Sequence, residues 1–230
     1  MMNTVKKTAC ALVVLATTST VVMAESIDVK VTGTITPKAC KMALTGGGVV
    51  DYGAIQPSSL KNDALNQLEN KQLDFSITCD SPAKIALTAI DGRPGTTAAT
   101  QSDNADGTAK IPDGIDNNNG DFVVGLGLDG DKKIGGYTIS ISNTVADNVN
   151  VEGIFRSVES DAWTKWKGLP LISSNKIIGS VTKAGEQQPV AFTTLAGKLN
   201  VQAYINKTSQ LDITKPVKLD GLTTLELIYL

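Results

Sequence analysis

The sequence predicts an all-β protein, a β-sandwich with Greek-key connections, and three observations support this prediction. Short segments of alternating apolar and polar residues recur along the chain, separated by turn residues. The chain is rich in Val, Ile, Thr, Gly and Asn, and only 4% of its residues are aromatic, which favours short strands joined by turns. No segment has the periodicity of a convincing amphipathic helix, and no internal repeat is present.

Strands are expected wherever apolar and polar residues alternate between turn signals. The clearest case is the alternation of Leu73, Phe75 and Ile77, which leads into Cys79. The other predicted strands or short extended pieces cover residues 27–35, 49–53, 85–89, 122–128, 135–142, 149–158, 176–181, 188–194, 198–206 and 222–230. Residues 60–68 fit either a helical turn or a loop.

Both ends of the exported chain have the pattern of an apolar strand. Chain ends usually fray unless they are docked in a sheet, so a strand that runs to the last residue implies such docking. The apolar positions are Ile27, Val29 and Val31 near the first end, and Leu225, Leu227 and Tyr229 near the second. A protein with apolar strands at both ends is suited to exchanging strands or completing a sheet.

Residues 1–24 have the pattern of a signal peptide. Lys6 and Lys7 precede an apolar run over residues 8–22, and small residues stand just before the expected cleavage site at Glu25. The apolar run is shorter than the roughly 20 residues that a membrane span needs. The sequence therefore predicts export, with residues 25–230 as one mature domain.

Export leaves two cysteines and an acidic chain. Loss of Lys6 and Lys7 lowers the formal charge from −2 to −4, and no long basic stretch supports nucleic-acid binding. In an oxidising compartment an even pair of cysteines most often forms a disulfide, here between Cys40 and Cys79. A metal or redox site is the alternative, but the chain has no CxxC spacing and no histidine.

The absence of histidine also bears on catalysis. It excludes a Ser-His-Asp or Cys-His nucleophile, an HExxH zinc site and an imidazole base. A pair of carboxylates remains a formal alternative for hydrolysis, but many aspartates stand in Asp-Gly turns. We therefore expect neither an enzyme nor a cofactor.

The polar stretch 101–121 is the one candidate metal site in the sequence. Its oxygen donors, suited to calcium, are Asp103, Asp106, Asp113, Asp116, Asp121 and Asn117 to Asn119. Their spacing does not match an EF-hand loop. Solvated turns have the same composition and are the favoured interpretation.

Trp163 and Trp166 are the candidate contacts for a carbohydrate. An exposed pair of indole rings can stack on sugar rings, whereas partial burial under a loop is the commoner fate of tryptophan. Burial is the favoured interpretation.

The order of these features resembles a chaperone–usher fimbrial subunit. The resemblance rests on the apolar first strand, Cys40, the strand entering Cys79, the run PVAFTTLAGKLNVQAYI (189–205) and the penultimate Tyr229. More narrowly, the chain resembles the GltF-type fimbrial-like periplasmic proteins. The motifs that carry this closer resemblance are TGGGVVDYG (45–53), GLGLDGDKKIGGYTIS (125–140) and LDGLTTLELIYL (219–230).

The resemblance implies an immunoglobulin-like, pilin-type sandwich that lacks its last strand. In that family a periplasmic chaperone lends a strand, and the N-terminal extension of the next subunit replaces it at the outer-membrane usher. The positions that match are Ile27, Val29 and Val31 in a donor strand within residues 25–37, the disulfide Cys40–Cys79, and Leu225, Leu227 and Tyr229 as the strand that contacts the chaperone or another subunit.

The resemblance is partial in two respects: the segment before Cys40 is short, and Val217 stands where the terminal motif of the family often has a glycine. Only residues 25–39 precede Cys40 in the exported chain, so this segment is either a donor strand or a strand of the domain itself. We therefore expect a fimbrial structural subunit, in the periplasm or in a surface fimbrium. The alternatives are a non-polymerising periplasmic protein of the same fold and a carbohydrate-binding adhesin.

Overall fold

A computed structural model of the protein describes residues 29–33, 39–98, 109–115, 122–171 and 176–230. The chain divides into two compact units, residues 1–36 and 37–230. The predicted signal peptide and Ile27 lie outside the described residues.

The described part of the first unit, residues 29–33, forms no strand, contrary to the prediction of a strand over residues 27–35. A strand needs a neighbouring edge for its backbone groups, and residues 29–33 enter no ladder. Val29 and Val31 are 84% and 94% exposed. The alternating residues of this segment therefore have no partner strand in the described chain.

The described residues of the second unit are strands and turns. The strands are β1 (Cys40–Leu44), β2 (Asn66–Ala83), β3 (Ile85–Asp91), β4 (Ala109–Lys110), β5 (Phe122–Gly125), β6 (Leu128–Asp129), β7 (Lys132–Lys133), β8 (Gly135–Ala146), β9 (Val149–Ser157), β10 (Thr164–Trp166), β11 (Leu169–Pro170), β12 (Ile177–Lys183), β13 (Phe192–Ile205) and β14 (Thr223–Tyr229). Short 3₁₀ turns cover Thr45–Gly48, Pro57–Ser59 and Thr208–Gln210. The described ranges contain no α-helix, and hence no helix that could cross a membrane.

The protein is therefore all-β, as predicted, but several regions differ in detail. Residues 49–53 form no strand, and the strand predicted over 122–128 ends at Gly125. Residues 60–68 contain bends and the start of β2 at Asn66. The strands predicted over 188–194 and 198–206 form one strand, β13, which begins only at Phe192. Position 197 inside β13 favours glycine, because a Cβ atom there would come within 2.7 Å of the Ile141 side chain. This glycine allows close packing and does not break the strand.

Twelve of the described strands form a large, curled antiparallel sheet, and β6 and β7 form a separate pair. The order of the large sheet is β1-β2-β13-β8-β9-β12-β3-β14, with β5 and β11 on β8 and β10 on β9. The ladder between β8 and β9 has only two pairs, Val145 with Asn150 and Ala146 with Val149. This short ladder separates a first section, β1-β2-β13-β8, from a second section, β9-β12-β3-β14.

One main hydrophobic core draws side chains from both sections. Phe75 on β2, Ile141 on β8 and Leu195 on β13 represent the first section, and Leu87 on β3 and Val181 on β12 represent the second. Each is at most 2% exposed. Full burial of such a side chain contributes about 1.5–3 kcal/mol, so the core holds the two sections together.

A second, smaller cluster covers the opposite side of β13. Tyr204 is fully buried there against Ala98, Ala109, Ile115 and Val123. Its hydroxyl donates to the carbonyl oxygen of Ala98 at 2.9 Å, which satisfies a polar group that would otherwise be costly to bury. The second half of β13 is consequently buried on both faces.

Candidate strand-binding edge

The two strands at the ends of the sheet order, β1 and β14, each pair with one neighbour only. β1 pairs with β2 over five positions, and β14 pairs with β3 over seven. Each strand therefore has one edge without a ladder partner in the described chain. Open edges expose backbone N–H and C=O groups that can pair with a further strand.

Hydrogen bonding shows which residues of β1 face the open edge. The Asp80 amide donates to the Ala39 carbonyl at 2.9 Å, so the backbone groups of Ala39 point toward β2. Backbone groups alternate in direction along an antiparallel strand. Those of Cys40, Met42 and Leu44 therefore point outward.

The same argument applies to β14. The Gly92 amide donates to the Leu222 carbonyl at 2.8 Å, and the Leu230 amide donates to the Lys84 carbonyl at 3.1 Å. Even-numbered residues of this segment thus bond to β3. The residues whose backbone groups face the open edge are Thr223, Leu225, Leu227 and Tyr229.

Apolar side chains at both edges lack full cover. Met42 and Leu44 on β1, and Leu225 and Leu227 on β14, pack against the main core but are only partly buried. Within the described residues, no hydrogen bond reaches their outward-facing backbone groups. Open backbone groups and uncovered core side chains therefore occur on the same residues. We call these four residues, together with Cys40 and Tyr229, the open edges.

One side chain connects the two edges. The Cys40 backbone amide donates to the Tyr229 hydroxyl at 2.7 Å, so the start of β1 lies beside the end of β14. Cys40 is bonded to Cys79 on β2, which confirms the predicted disulfide. Tyr229 itself is 49% exposed.

A polar cluster anchors the start of β14. Arg93 binds both carboxylate oxygens of Asp220 at 2.8 Å, and the Asp220 amide donates to the Leu126 carbonyl at 3.0 Å. Its hydrogen bonds to Arg93 hold the pKa of the Asp220 carboxyl below its ordinary value. The hydroxyls of Tyr137 and Thr223 lie 2.5 Å apart. The motifs at 125–140 and 219–230 thus meet at this cluster.

Tyr137 in this cluster provides a pH prediction. Burial raises its pKa to about 12 from 10.0. Because the folded state favours the neutral phenol, this stabilisation is complete below pH 10 and is lost as the pH rises from 10 toward 12. Between pH 9 and 11 the wild-type protein should lose about 1 kcal/mol of unfolding free energy through this group.

Urea unfolding from pH 7 to 11 tests this expectation. In Tyr137→Phe the unfolding free energy should decrease less between pH 9 and 11 than it does in the wild-type protein. Thr223→Val removes the same hydroxyl–hydroxyl contact but keeps the phenol, so it should preserve the alkaline loss. Equal alkaline slopes for Tyr137→Phe and wild type would contradict the prediction.

The motif at 45–53 has a structural role beside the first section. The Tyr52 hydroxyl donates to the Val201 carbonyl at 3.1 Å and accepts from the Ala203 amide at 3.2 Å. These groups lie next to one of the two register shifts of β13 against β2, the one between Gln202 and Tyr204. Gly46 and Gly47 have φ values of 62° and 65°, a conformation that favours glycine. The motif therefore positions Tyr52.

The two tryptophans each contact a different residue of β9. The Trp166 ring meets Phe155 edge to face, with 5.2 Å between centroids. The Trp163 ring lies 5.2 Å from the Arg156 guanidinium. Both indoles are partly buried, so each already has its own contact.

The candidate calcium ligands fall mostly outside the described residues; these are Asp103, Asp106, Asp116, Asp121 and Asn117 to Asn119. Asp113 is described and is exposed. No group of three His, Cys, Asp or Glu residues that could hold a metal occurs in the described ranges.

Sequence reasoning located the terminal strand but missed the opposite edge. Met42 and Leu44 alternate with the exposed Lys41 and Ala43 directly after Cys40. This period-2 pattern is short, but it is the signal by which the edge could have been found.

Comparison with known proteins places the chain among relatives. Residues 29–138 match the family described as "Protein of unknown function (DUF1120)". Protein GltF of Escherichia coli (strain K12) is 32% identical over 90% of each chain. The uncharacterized protein YhcF of the same strain is 29% identical over 89% of this chain and 90% of its own. No solved structure matches the chain. Because the similarity to GltF extends over nearly the whole of both chains, this chain belongs to the GltF family.

Proposed function

We propose that this chain is a fimbrial or fimbrial-like structural subunit, completed and assembled by donor-strand exchange. The observation that carries the proposal is the pair of open edges. Partly buried Met42, Leu44, Leu225 and Leu227 carry the unpaired outward backbone groups of β1 and β14 in the described chain. An extended segment binds such an edge by β-augmentation, with backbone bonds for affinity and alternate side chains for specificity.

The proposed architecture is an immunoglobulin-like, pilin-type sandwich with Greek-key connections that lacks its last strand. A core shared by two sections of antiparallel sheet supports this assignment. In such a fold the missing strand would lie in the space between β1 and β14, which we call the groove. Its inward side chains would cover Leu225 and Leu227 from the solvent side.

The proposed donor lies within residues 25–37. Val29 and Val31 are 84% and 94% exposed, and alternation with Lys30 and Thr32 would place both valines on one face of an extended strand. In the groove of a neighbouring subunit the valines would be buried and Lys30 and Thr32 would face solvent. Before assembly, a periplasmic chaperone would supply the strand, and an outer-membrane usher would exchange it.

The disulfide supports a periplasmic location, because such bonds form in oxidising compartments. The proposed role needs no catalysis and no cofactor. The existing contacts of Trp163 and Trp166 favour the structural role over carbohydrate binding.

The first arm of the test separates donor from acceptor. Val29→Asp would place a charge in an apolar groove, at a cost of several kcal/mol, but it leaves the open edges intact. Leu227→Asp spoils the groove but leaves the donor intact. Wild-type chains should assemble into a ladder of oligomers on size-exclusion chromatography. Each variant alone should remain monomeric, and an equimolar mixture should form dimers and no longer species.

Matched controls carry the same charge change on the opposite strand faces. Thr32→Asp and Thr224→Asp replace exposed polar positions and should assemble like wild type. If Leu227→Asp is not recovered, a Val29→Cys chain mixed with a Leu227→Cys chain should form an intermolecular disulfide. A wild-type chain that is stable and monomeric without any chaperone would replace this proposal by a self-contained periplasmic protein.

A further inference from the structure

The hydrogen bond between Cys40 and Tyr229 joins a backbone group to a side chain across the open edges. The Cys40 amide is the first outward-facing donor of β1, and it donates to the Tyr229 hydroxyl at 2.7 Å. Cys40 is held by its disulfide to Cys79. The phenol therefore occupies a donor that a ladder partner would otherwise use.

We infer that Tyr229 is a latch that closes one end of the groove while no strand is bound. The inference rests on the proposed function. While the groove is empty, the hydroxyl satisfies the Cys40 amide. An incoming strand that pairs with β1 from its first residue needs this amide, so the phenol must leave before pairing is complete.

The two ends of β14 are held in different ways. Its start is fixed by the bidentate pair of Arg93 with Asp220 and by the contact of Tyr137 with Thr223. Its end is bonded on the β3 side through the Leu230 amide and the Lys84 carbonyl. On the side of β1 it makes one neutral hydrogen bond in the described chain, from the Cys40 amide to the Tyr229 hydroxyl. A single hydrogen bond of this kind contributes modestly to stability, so it can open without unfolding β14. Opening of the latch is thus a step of strand uptake.

The first test measures strand uptake by an acceptor. The full exported chain carrying Val29→Asp, whose own donor is disabled, is mixed with a fluorescent peptide of residues 25–36. Adding Tyr229→Phe to this chain keeps the aromatic ring but removes the hydroxyl oxygen that accepts the hydrogen bond from the Cys40 amide. Uptake followed by anisotropy should then be about threefold to tenfold faster, the effect of one lost hydrogen bond on the barrier. Uptake at an equal or lower rate would overturn the latch.

Tyr52→Phe in the same acceptor is the matched control. It also removes a phenol that bonds to backbone, but its partners are Val201 and Ala203 on β13, away from the open edges. This variant should have lower stability and an unchanged uptake rate. Acceleration by Tyr52→Phe equal to that by Tyr229→Phe would assign the effect to general loosening and overturn the latch.

The second test examines the empty groove without any peptide. The exported chain contains only Cys40 and Cys79, so ¹⁵N-cysteine labelling yields two amide signals, with Cys79 as internal reference. Tyr229→Phe should accelerate exchange of the Cys40 amide about threefold to tenfold and leave Cys79 unchanged. An unchanged Cys40 signal would overturn the latch.

The two tests separate the latch from the proposed function. The Val29→Asp chain that keeps Tyr229 is the reference. If this chain takes up no peptide at all while the Cys40 amide responds as expected, the strand-exchange proposal fails and the hydrogen bond from Cys40 to Tyr229 stands. If the acceptor takes up peptide and neither the rate nor the Cys40 amide changes in Tyr229→Phe, strand exchange stands and the latch fails.

Discussion

Deletion of residues 225–230 should abolish recovery of folded protein from the periplasm. The deletion removes most of β14, which pairs with β3 from Thr223 to Tyr229. It takes away Leu225 and Leu227, whose partial burial contributes about 1–2 kcal/mol each, together with the ladder bonds to β3. The combined loss approaches the 5–15 kcal/mol by which a whole domain is stable.

The deletion would also uncover β3. Leu87 and Ala89 are 2% and 0% exposed, and they lie opposite Leu227 and Leu225 in the ladder. Without β14, β3 would become an exposed, apolar edge strand, and such a strand is prone to aggregation. Soluble yield and a cooperative thermal transition, measured on periplasmic extracts, provide the readout.

Removal of Leu230 alone is the control for this prediction. Leu230 is 45% exposed, and its amide makes one bond to the Lys84 carbonyl. This shorter chain should be recovered with a slightly lower melting temperature. Recovery of the 225–230 deletion at wild-type yield, with a cooperative transition, would show that β14 is not needed for the fold.

The second large effect is expected from loss of the disulfide. Cys79→Ala should lower the unfolding free energy by roughly 2–5 kcal/mol. The bridge spans 39 residues, and closure of such a loop removes denatured-state entropy worth roughly 4 kcal/mol in the chain-entropy model. It also holds β1, which otherwise depends on five pairs with β2. Urea unfolding of the oxidised proteins measures the difference.

Three comparisons make this test specific. Cys40→Ala should cost a similar amount, and the double variant should cost little more than either single one, because both remove the same bond. Reduction of the wild-type protein should lower its stability to the same range. Two free thiols in protein isolated from the periplasm, detected by mass spectrometry, would disprove the bond.

Short-range alternation explains why many strands were predictable. Leu73, Phe75 and Ile77 do lie in β2, and the terminal alternation does lie in β14. The period-2 pattern records which face of one strand is apolar, and that information is local. The cysteine pairing was also predictable, because only one pair remains after the expected cleavage.

Strand partners and edges were not predictable, because they depend on residues far apart in the chain. Nothing near Asp220 in the sequence indicates Arg93, its ion-pair partner 127 residues earlier. The hydroxyl of Tyr229 likewise meets an amide 189 residues away. The alternation of Val29 and Val31 shows the limit most clearly, since it predicts a strand although residues 29–33 enter no ladder in the described chain. Apolar patterning within a strand is local chemistry, whereas the ladder partner and the open edge exist only once distant strands have packed around one core.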